Sequence, residues 1–485
     1  MSPATVLSVV VLAAQPPMRI ADPAPPRVRP LPLPAPVVRE RPHPRVEVMG
    51  SARPVPPGAI TRDWPCFLGP THDGVCAETR LRKRFAPRGG PAGPGRVWQL
   101  AVGAGYAAPA VVGERIVVFH RLGNEEVVEC LHAERGTRFW ERRYPTTYRD
   151  RFGYNNGPRA TPAVAGGRVY TCGAQGTLHC LDLRTGHVFW KRDLQRELDL
   201  RTSFFGVGSS PLVEGGRVIV NVGAREGPAV AAFDAKTGRL AWGAETDWGA
   251  GYASPVPATI HGRRVVFVFA GGRSSPPTGG LLCLDPRTGA TYFRVPWRSR
   301  RIASVNASSP VVVGDTVFAS SIYKLGRSGI LLRVGPGLTH STVATTRYGS
   351  HWMTPIVRDG HLYGFADSSL VCTDFRTGKE AWRVRTPFGE AQEEDPTQPR
   401  SKLGRAGLLW ADGAFLCLGE YGDLCWLAMT PKGMKVLSHA KLFHAPQTWT
   451  GPVVSRGLLY VRQNEPDRTT RRPRRLLCYD LRGGP

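Results

Sequence analysis

The chain has 485 residues, 41% of them apolar, with 56 Gly and 44 Pro and a formal net charge of +26. This exceeds the roughly 250–300 residues at which a single core stops growing, and the composition excludes a disordered chain in favour of a turn-rich globular one built from many short strands. The charge alone points to a polyanion partner, but the cations are mostly Arg and are scattered through every segment. No helix-turn-helix, zinc finger or RNA-binding aromatic signature accompanies them, so nucleic acid is not the expected partner.

The chain opens "MSPATVLSVVVLAAQPP". Val6 to Ala14 has the shape of a signal-peptide core, although no Lys or Arg precedes it, and it is too short to span a bilayer. With residues 1–15 read as a signal, the protein is expected to be exported, periplasmic or envelope-associated; it is cytoplasmic if that run is not a signal. Residues 16–60, centred on "PAPPRVRPLPLPAP", are Pro- and Arg-rich and read as a disordered tether. Residues 61–95 form a lead-in opened by "DWPCFLGPTHDG". Of the ten cysteines, only Cys66 and Cys76 in this lead-in fall outside repeat or strand positions. A disulfide between them is a candidate that spacing alone does not decide.

From residue 96 to 485 one phrase returns. "CLDLRTGHVFW" carries Asp182, Gly186 and Trp190, and "AFDAKTGRLAW" carries Asp234, Gly238 and Trp242. "CLDPRTGATYF" has Asp285 and Gly289 with Phe293 in the Trp place, and "CTDFRTGKEAW" has Asp374, Gly378 and Trp382. A weaker copy, "CLHAERGTRFW", replaces the Asp by His132 and keeps Trp140. Asp accepts backbone N–H bonds two or three residues on, and Gly supplies a positive φ, so each copy is a tight hairpin. The Trp offers a flat surface for sheet packing. Each copy sits in a unit of four strands opened by a Ser/Thr/Ala-Pro dipeptide, at Pro109, Pro162, Pro211, Pro255, Pro310 and Pro355, or by Gly-Pro at Pro452, with a degenerate opening near Leu408. Eight such units predict an all-β fold, an eight-bladed β-propeller of four-stranded antiparallel blades. The last unit, "CYDLRGGP", stops before any Trp strand, whereas an orphan Trp strand, "GRVWQLAVG" with Trp98, precedes the first unit. The N-terminal strand is therefore expected to close the ring as the outermost strand of the last blade.

These units resemble the PQQ-like β-propeller repeat of quinoprotein alcohol dehydrogenases and of the outer-membrane assembly factor BamB. "DWPCFLGPTHDG" and "TWTGPVVSRGLLYVR" are similar to the opening and closing signatures of PQQ-binding-like propellers abundant in planctomycetes, with departures at Cys66, Leu68 and Cys76. The resemblance to the dehydrogenases implies PQQ held between a Trp and a disulfide of adjacent cysteines, calcium held by carboxylate and amide ligands, and an Asp base. No two cysteines are adjacent in this chain and the calcium ligands have no counterparts by position. The expectation is therefore no cofactor, with PQQ and calcium disfavoured, and no catalytic or metal-ligating residue.

The segments before the blade-opening prolines, such as "YNNGPRATP", "DWGAGYASP" and "YGSHWMTP", are expected to line the channel mouth. They gather Tyr106, Asn155, Asn156, Arg159, Phe205, Trp248, Tyr252, Asn306, His351, Trp352 and Trp449, a candidate ligand site with aromatic walls. The blander alternative is that these groups fill the axis and satisfy turn backbones. His351 has no nucleophile or carboxylate placed with it, no His pair has ligand spacing for zinc, and the Gly-rich "GGRSSPPTGG" lacks the helix of a phosphate loop. The acidic "GEAQEEDPTQ" reads as a solvated loop. The leading expectation is a monomeric, exported, non-enzymatic propeller without a transmembrane segment that scaffolds protein partners at the cell envelope. The alternatives are a PQQ-dependent oxidoreductase and a polyanion or glycan binder.

Overall fold

The computed structural model describes residues 38–85, 93–200, 204–244, 247–272, 274–301, 303–323, 328–385 and 403–483. The signal-like run 1–15, the Pro-rich centre from Pro23 to Pro36 and the acidic stretch from Gly389 lie outside the described residues. The rest is an eight-bladed β-propeller of antiparallel blades. Seven blades are continuous, at residues 110–145, 163–193, 212–244, 256–296, 311–346, 356–384 and 407–441. The eighth takes three strands from the C-terminus, Val453–Ser455, Leu458–Gln463 and Arg475–Asp480, and its fourth, Gly95–Ala101, from the N-terminal side. The ring closes as the orphan Trp strand predicts, with one correction. Gly95–Ala101 is not outermost, because Val46–Val48 pairs antiparallel along its outer edge. From residue 38 onward the segment read as a tether therefore lies against blades 8 and 1.

The repeated phrase is a lock between neighbouring blades. Asp182 Oδ1 accepts the N–H groups of Arg184 and Thr185 at 2.9 and 2.7 Å and the Thr185 hydroxyl at 2.8 Å, and Asp234 and Asp374 repeat the three bonds. His132 serves in place of the Asp, its Nδ1 accepting the N–H groups of Glu134 and Arg135 at 3.2 Å. The turns at Asp182, Asp234 and Asp285 then receive the Trp of the preceding blade, whereas the turn at Asp374 packs on Ala344 and Thr346. Trp140 Nε1 donates to Leu183 O (2.9 Å), Trp190 Nε1 to Ala235 O (3.2 Å) and Trp242 Nε1 to Pro286 O (3.1 Å), always the residue after the turn Asp. Gly186, at φ 69°, is required twice over, by its backbone and because a Cβ there would stand 2.6 Å from the Trp140 ring. The closing strand uses the same device: Trp98 Nε1 donates to Ala133 O at 3.0 Å.

The opening dipeptide is a second lock, nearer the axis. The residue before each proline is held extended by the following ring, which aims its N–H at the next blade. Ala108 N donates to Thr161 Oγ1, Thr161 N to Ser210 Oγ, Ser210 N to Ser254 Oγ, Ser254 N to Ser309 Oγ and Ser309 N to Thr354 Oγ1, at 2.9–3.2 Å. Five successive blade junctions are stitched this way. The Ser/Thr preference before the proline is thus the acceptor half of an inter-blade hydrogen bond.

The lead-in segment makes a circuit inside the channel. Trp64 exchanges both backbone hydrogen bonds with Val111 of blade 1 at 2.8 Å, and Pro65 O accepts Val164 N of blade 2 at 2.8 Å. Cys66 to Leu68 lie against Leu212 and Val256 of blades 3 and 4, and Thr71 to Asp73 against Val311 and Gly314 of blade 5. Gly74 faces Ile356 of blade 6 while its carbonyl accepts Trp410 N of blade 7 at 3.0 Å, and Cys76 Sγ reaches Val454 O of blade 8 at 3.8 Å. Asp63 and Glu78 tie the ends of this segment to turns between first and second strands, at Gly113 and at Arg456 and Gly457. The channel is therefore stoppered at the end bearing those turns and opens toward the loops that lead into the first strands. Cys66 and Cys76 are free thiols facing different blades, Cys66 Sγ donating to Gly69 O at 3.2 Å, and burial pushes both up to about 12. The candidate disulfide is absent because the segment bows around the channel between them.

Candidate functional site at the channel mouth

At the open end, loops from several blades bring their aromatic rings into one belt. Tyr106 stacks on Trp449 with centroids 5.3 Å apart and interplanar angle 27°. Trp449 lies 4.7 Å from Trp352, Trp352 5.3 Å from His351, and His351 5.7 Å edge-on to Tyr323. In the other direction Trp449 meets Tyr154 at 5.6 Å, Tyr154 meets Phe205 at 5.9 Å, and Phe205 contacts Phe152 and Tyr252 at 5.4 and 5.6 Å. Such tilted and offset arrangements suit ring quadrupoles.

Two guanidinium groups are set into the belt. Arg159 sits 5.5 Å from the Tyr106 centroid and 5.8 Å from those of Tyr148 and Phe205. Arg405 sits 5.0 and 5.4 Å from those of Trp352 and Trp449. Cation–π attraction is strongest where, as here, the face is partly shielded from water. Each cation has its carboxylate: Arg159 pairs with Asp150, and Arg405 with Glu420, which also accepts Trp449 Nε1 at 2.7 Å. Burial, reinforced by the Arg405 charge, holds the His351 imidazole below its ordinary range. Burial likewise pushes the Tyr106 phenol up, and its hydroxyl donates to Gln447 Oε1 at 2.6 Å.

Seven of the residues singled out from sequence meet here: Tyr106, Arg159, Phe205, Tyr252, His351, Trp352 and Trp449. Four do not join the belt, among them Asn156, whose Oδ1 accepts Asp150 N at 2.7 Å. Trp248 is buried in the packing between blades 3 and 4, beneath Arg294. Asn306 is buried and braces its loop, Nδ2 donating to Ala270 O and Trp297 O at 2.8 and 3.1 Å. Asn155 caps its own turn, Oδ1 accepting Gly157 N at 2.9 Å. Sequence reasoning missed Phe152, Tyr154, Tyr323, Arg405 and Glu420. The first two lie in "YRDRFGYNNGP", directly before a blade opening, where the alternation of Arg and aromatic residues is a usable signal. The last two belong to the blade without an opening proline. Among the described residues no group of three or more His, Cys, Asp or Glu side chains gathers to hold a metal ion, and no helix is long and apolar enough to cross a membrane.

Fold and mouth together define a stoppered, eight-bladed propeller of the PQQ-like repeat class. The chain belongs to the family described as outer membrane protein assembly factor BamB, whose model matches residues 123–384. Among curated proteins it is 27% identical over 266 residues to quinohemoprotein alcohol dehydrogenase ADH-IIG of Pseudomonas putida, covering 50% of this chain and 34% of that protein. It is 25% identical over 248 residues to outer membrane protein assembly factor BamB of Moranella endobia, covering 47% of this chain and 59% of that one. The matches thus span between a third and three fifths of these relatives' lengths. Among solved structures, BamB from Moraxella catarrhalis superposes with TM-score 0.55 at 16% identity, covering 80% of this chain and 98% of that one. A europium-containing methanol dehydrogenase superposes with TM-score 0.61 at 12% identity, covering 86% and 98%. Likeness at these identities speaks for the fold.

Proposed function

We propose that this protein is an exported, non-enzymatic propeller that scaffolds protein partners at the cell envelope, with the open channel mouth as its contact face. The observation that carries this reading is the occupancy of the mouth by the chain's own groups. Rings stack on rings, the Arg405 guanidinium lies against Trp352 and Trp449, and the carboxylates set among them, Asp150 and Glu420, are committed to Arg159 and Arg405. Aromatic and Arg side chains gathered on an exposed face are the composition of protein contact surfaces. Membership of a family described as an outer membrane assembly factor supports the envelope setting.

A second reading, a PQQ-dependent oxidoreductase, is favoured by the curated relatives named quinohemoprotein alcohol dehydrogenases. The residues present do not fit that cofactor. The chain has no pair of adjacent cysteines, and the mouth carboxylates already neutralise cations rather than forming a calcium donor set. To test the scaffold reading, the full chain with an affinity tag is cross-linked in its own cells and purified. The expected result is a reproducible set of envelope proteins retained in stoichiometric amounts; recovery of the chain alone, from intact envelopes, would sink it.

A further inference from the structure

The belt ends in a surface that the stacking does not consume. Phe152 and Tyr154 are 54% and 42% exposed although each touches other rings. They stand on a turn that is built, not slack. Asp150 Oδ1 accepts Phe152 N at 2.8 Å and Tyr154 N at 3.4 Å, Asn156 Oδ1 accepts Asp150 N at 2.7 Å, and Gly153 takes φ 73°. Arg159 locks the other oxygen of Asp150. Arg149 and Arg151 flank Asp150 on the same turn, are exposed, and have no carboxylate partner among the described residues. Within six residues the molecule thus presents two exposed guanidinium groups and two half-exposed rings on a hydrogen-bonded knuckle. Large exposed aromatic residues carry a solvation cost that a binding surface offsets, and a pre-ordered turn lowers the entropy lost on docking.

We infer that the Arg149–Tyr154 knuckle is the anchor for an extended segment of a protein partner that carries acidic residues interspersed with aromatic ones. Its carboxylates pair with Arg149 and Arg151, and its rings extend the belt past Phe152 and Tyr154. Bidentate guanidinium–carboxylate pairing sets the register, and ring burial supplies most of the affinity. This identifies the partner chemistry of the contact face proposed above and rests on that reading.

The probe is a fluorescein-labelled peptide of alternating Glu and Phe, nine residues long by design and about 30 Å when extended, titrated with the full chain at physiological salt and followed by anisotropy. Saturable binding is expected, weakened at least about tenfold by Phe152→Ser with Tyr154→Ser, because buried aromatic anchors dominate such contacts. Arg149→Ser with Arg151→Ser should weaken it and flatten its salt dependence. All four positions are exposed, so melting curves of both variants should match the parent. Equal binding of control peptides with Lys for Glu or Ser for Phe, or binding that neither variant changes, would overturn the inference. If the peptide fails to bind while the cross-linked chain still retains envelope proteins, the knuckle is discarded and the scaffold stands; if the peptide binds but no protein is retained, the scaffold falls.

Discussion

Deletion of Gly95–Ala101 is expected to lower the melting temperature by on the order of 10 °C. The strand supplies the fourth ladder of blade 8, pairing with Arg475–Asp480. Its Trp98 and Leu100 are fully buried, and Trp98 bonds across to Ala133 of blade 1. Loss of one buried Trp costs about 3–5 kcal/mol, and each kcal/mol moves the midpoint of a propeller of about 400 residues by about 1 °C, so Trp98 alone accounts for several degrees and the lost strand pairing for the rest. Removing the strand also strips Val46–Val48 of its partner and leaves the edge of Arg475–Asp480 open, an aggregation hazard. Thermal unfolding followed by circular dichroism measures the shift. An unchanged curve would mean that the ring does not depend on this closure.

Glu129→Ala is expected to destabilise the protein by about 3–5 kcal/mol, the usual cost of stripping a buried charge cluster of one partner. Glu129 lies on the third strand of blade 1, its side chain fully buried, and accepts bonds from His43 Nε2 and His120 Nε2 at 2.6 Å each and from Arg45. His43 Nδ1 accepts Arg45 N and His120 Nδ1 accepts Gly103 N, both at 3.0 Å, which leaves Nε2 of each ring to donate to Glu129. His43 and Arg45 come from the segment preceding the closing strand, so this cluster clasps that segment to blade 1.

The clasp carries a pH dependence whose sign follows from its partners. Burial alone would raise the Glu129 carboxyl, but the bonds from His120 and His43 and the charge of Arg45 outweigh it and hold it far below the usual range. Burial lowers His120, against the pull of Glu129. Both groups bind protons more weakly folded than unfolded, so both contributions are complete above the ordinary His and Glu values and fade as pH falls. The parent should lose stability as pH falls below about 6.5, through His120, and further as it falls below about 4.5, through Glu129. In the Glu129→Ala protein, residues 38–60 should become accessible to protease at neutral pH. Continued protection of that segment, with an unchanged melting curve, would show that the clasp does not hold it.

Much of this fold is legible in sequence because its locks repeat. The Asp turn, its Gly and the Trp of the preceding blade recur at several blade junctions, and the orphan Trp98 strand reveals closure because a Trp without its turn has to be matched elsewhere. The lead-in from Trp64 to Cys76 is opaque for the opposite reason. It touches each blade with one or two residues, so its pattern is imposed by the channel wall and has no period of its own. Val46–Val48 is hidden by Pro-rich surroundings and depends on a partner strand some fifty positions later for its conformation. At the mouth, position before a proline finds Tyr106, Tyr252, Trp352 and Trp449, yet Trp248 stands far enough ahead of Pro255 to turn back into the core. Arg405 and Glu420 escape notice because blade 7 has lost the opening dipeptide that marks the others.

Titration of the full chain with PQQ in the presence of calcium distinguishes a mouth that is a contact face from one that is a cofactor site. Trp fluorescence is followed together with alcohol-dependent reduction of an artificial electron acceptor. Trp352 and Trp449 are already covered by Arg405 and by each other, so the account predicts no dye reduction and only weak quenching from scattered Arg, fading as salt is added. Micromolar or tighter binding that survives high salt and disappears in Trp352→Ala or Trp449→Ala, accompanied by dye reduction, would contradict it and make the mouth an active site.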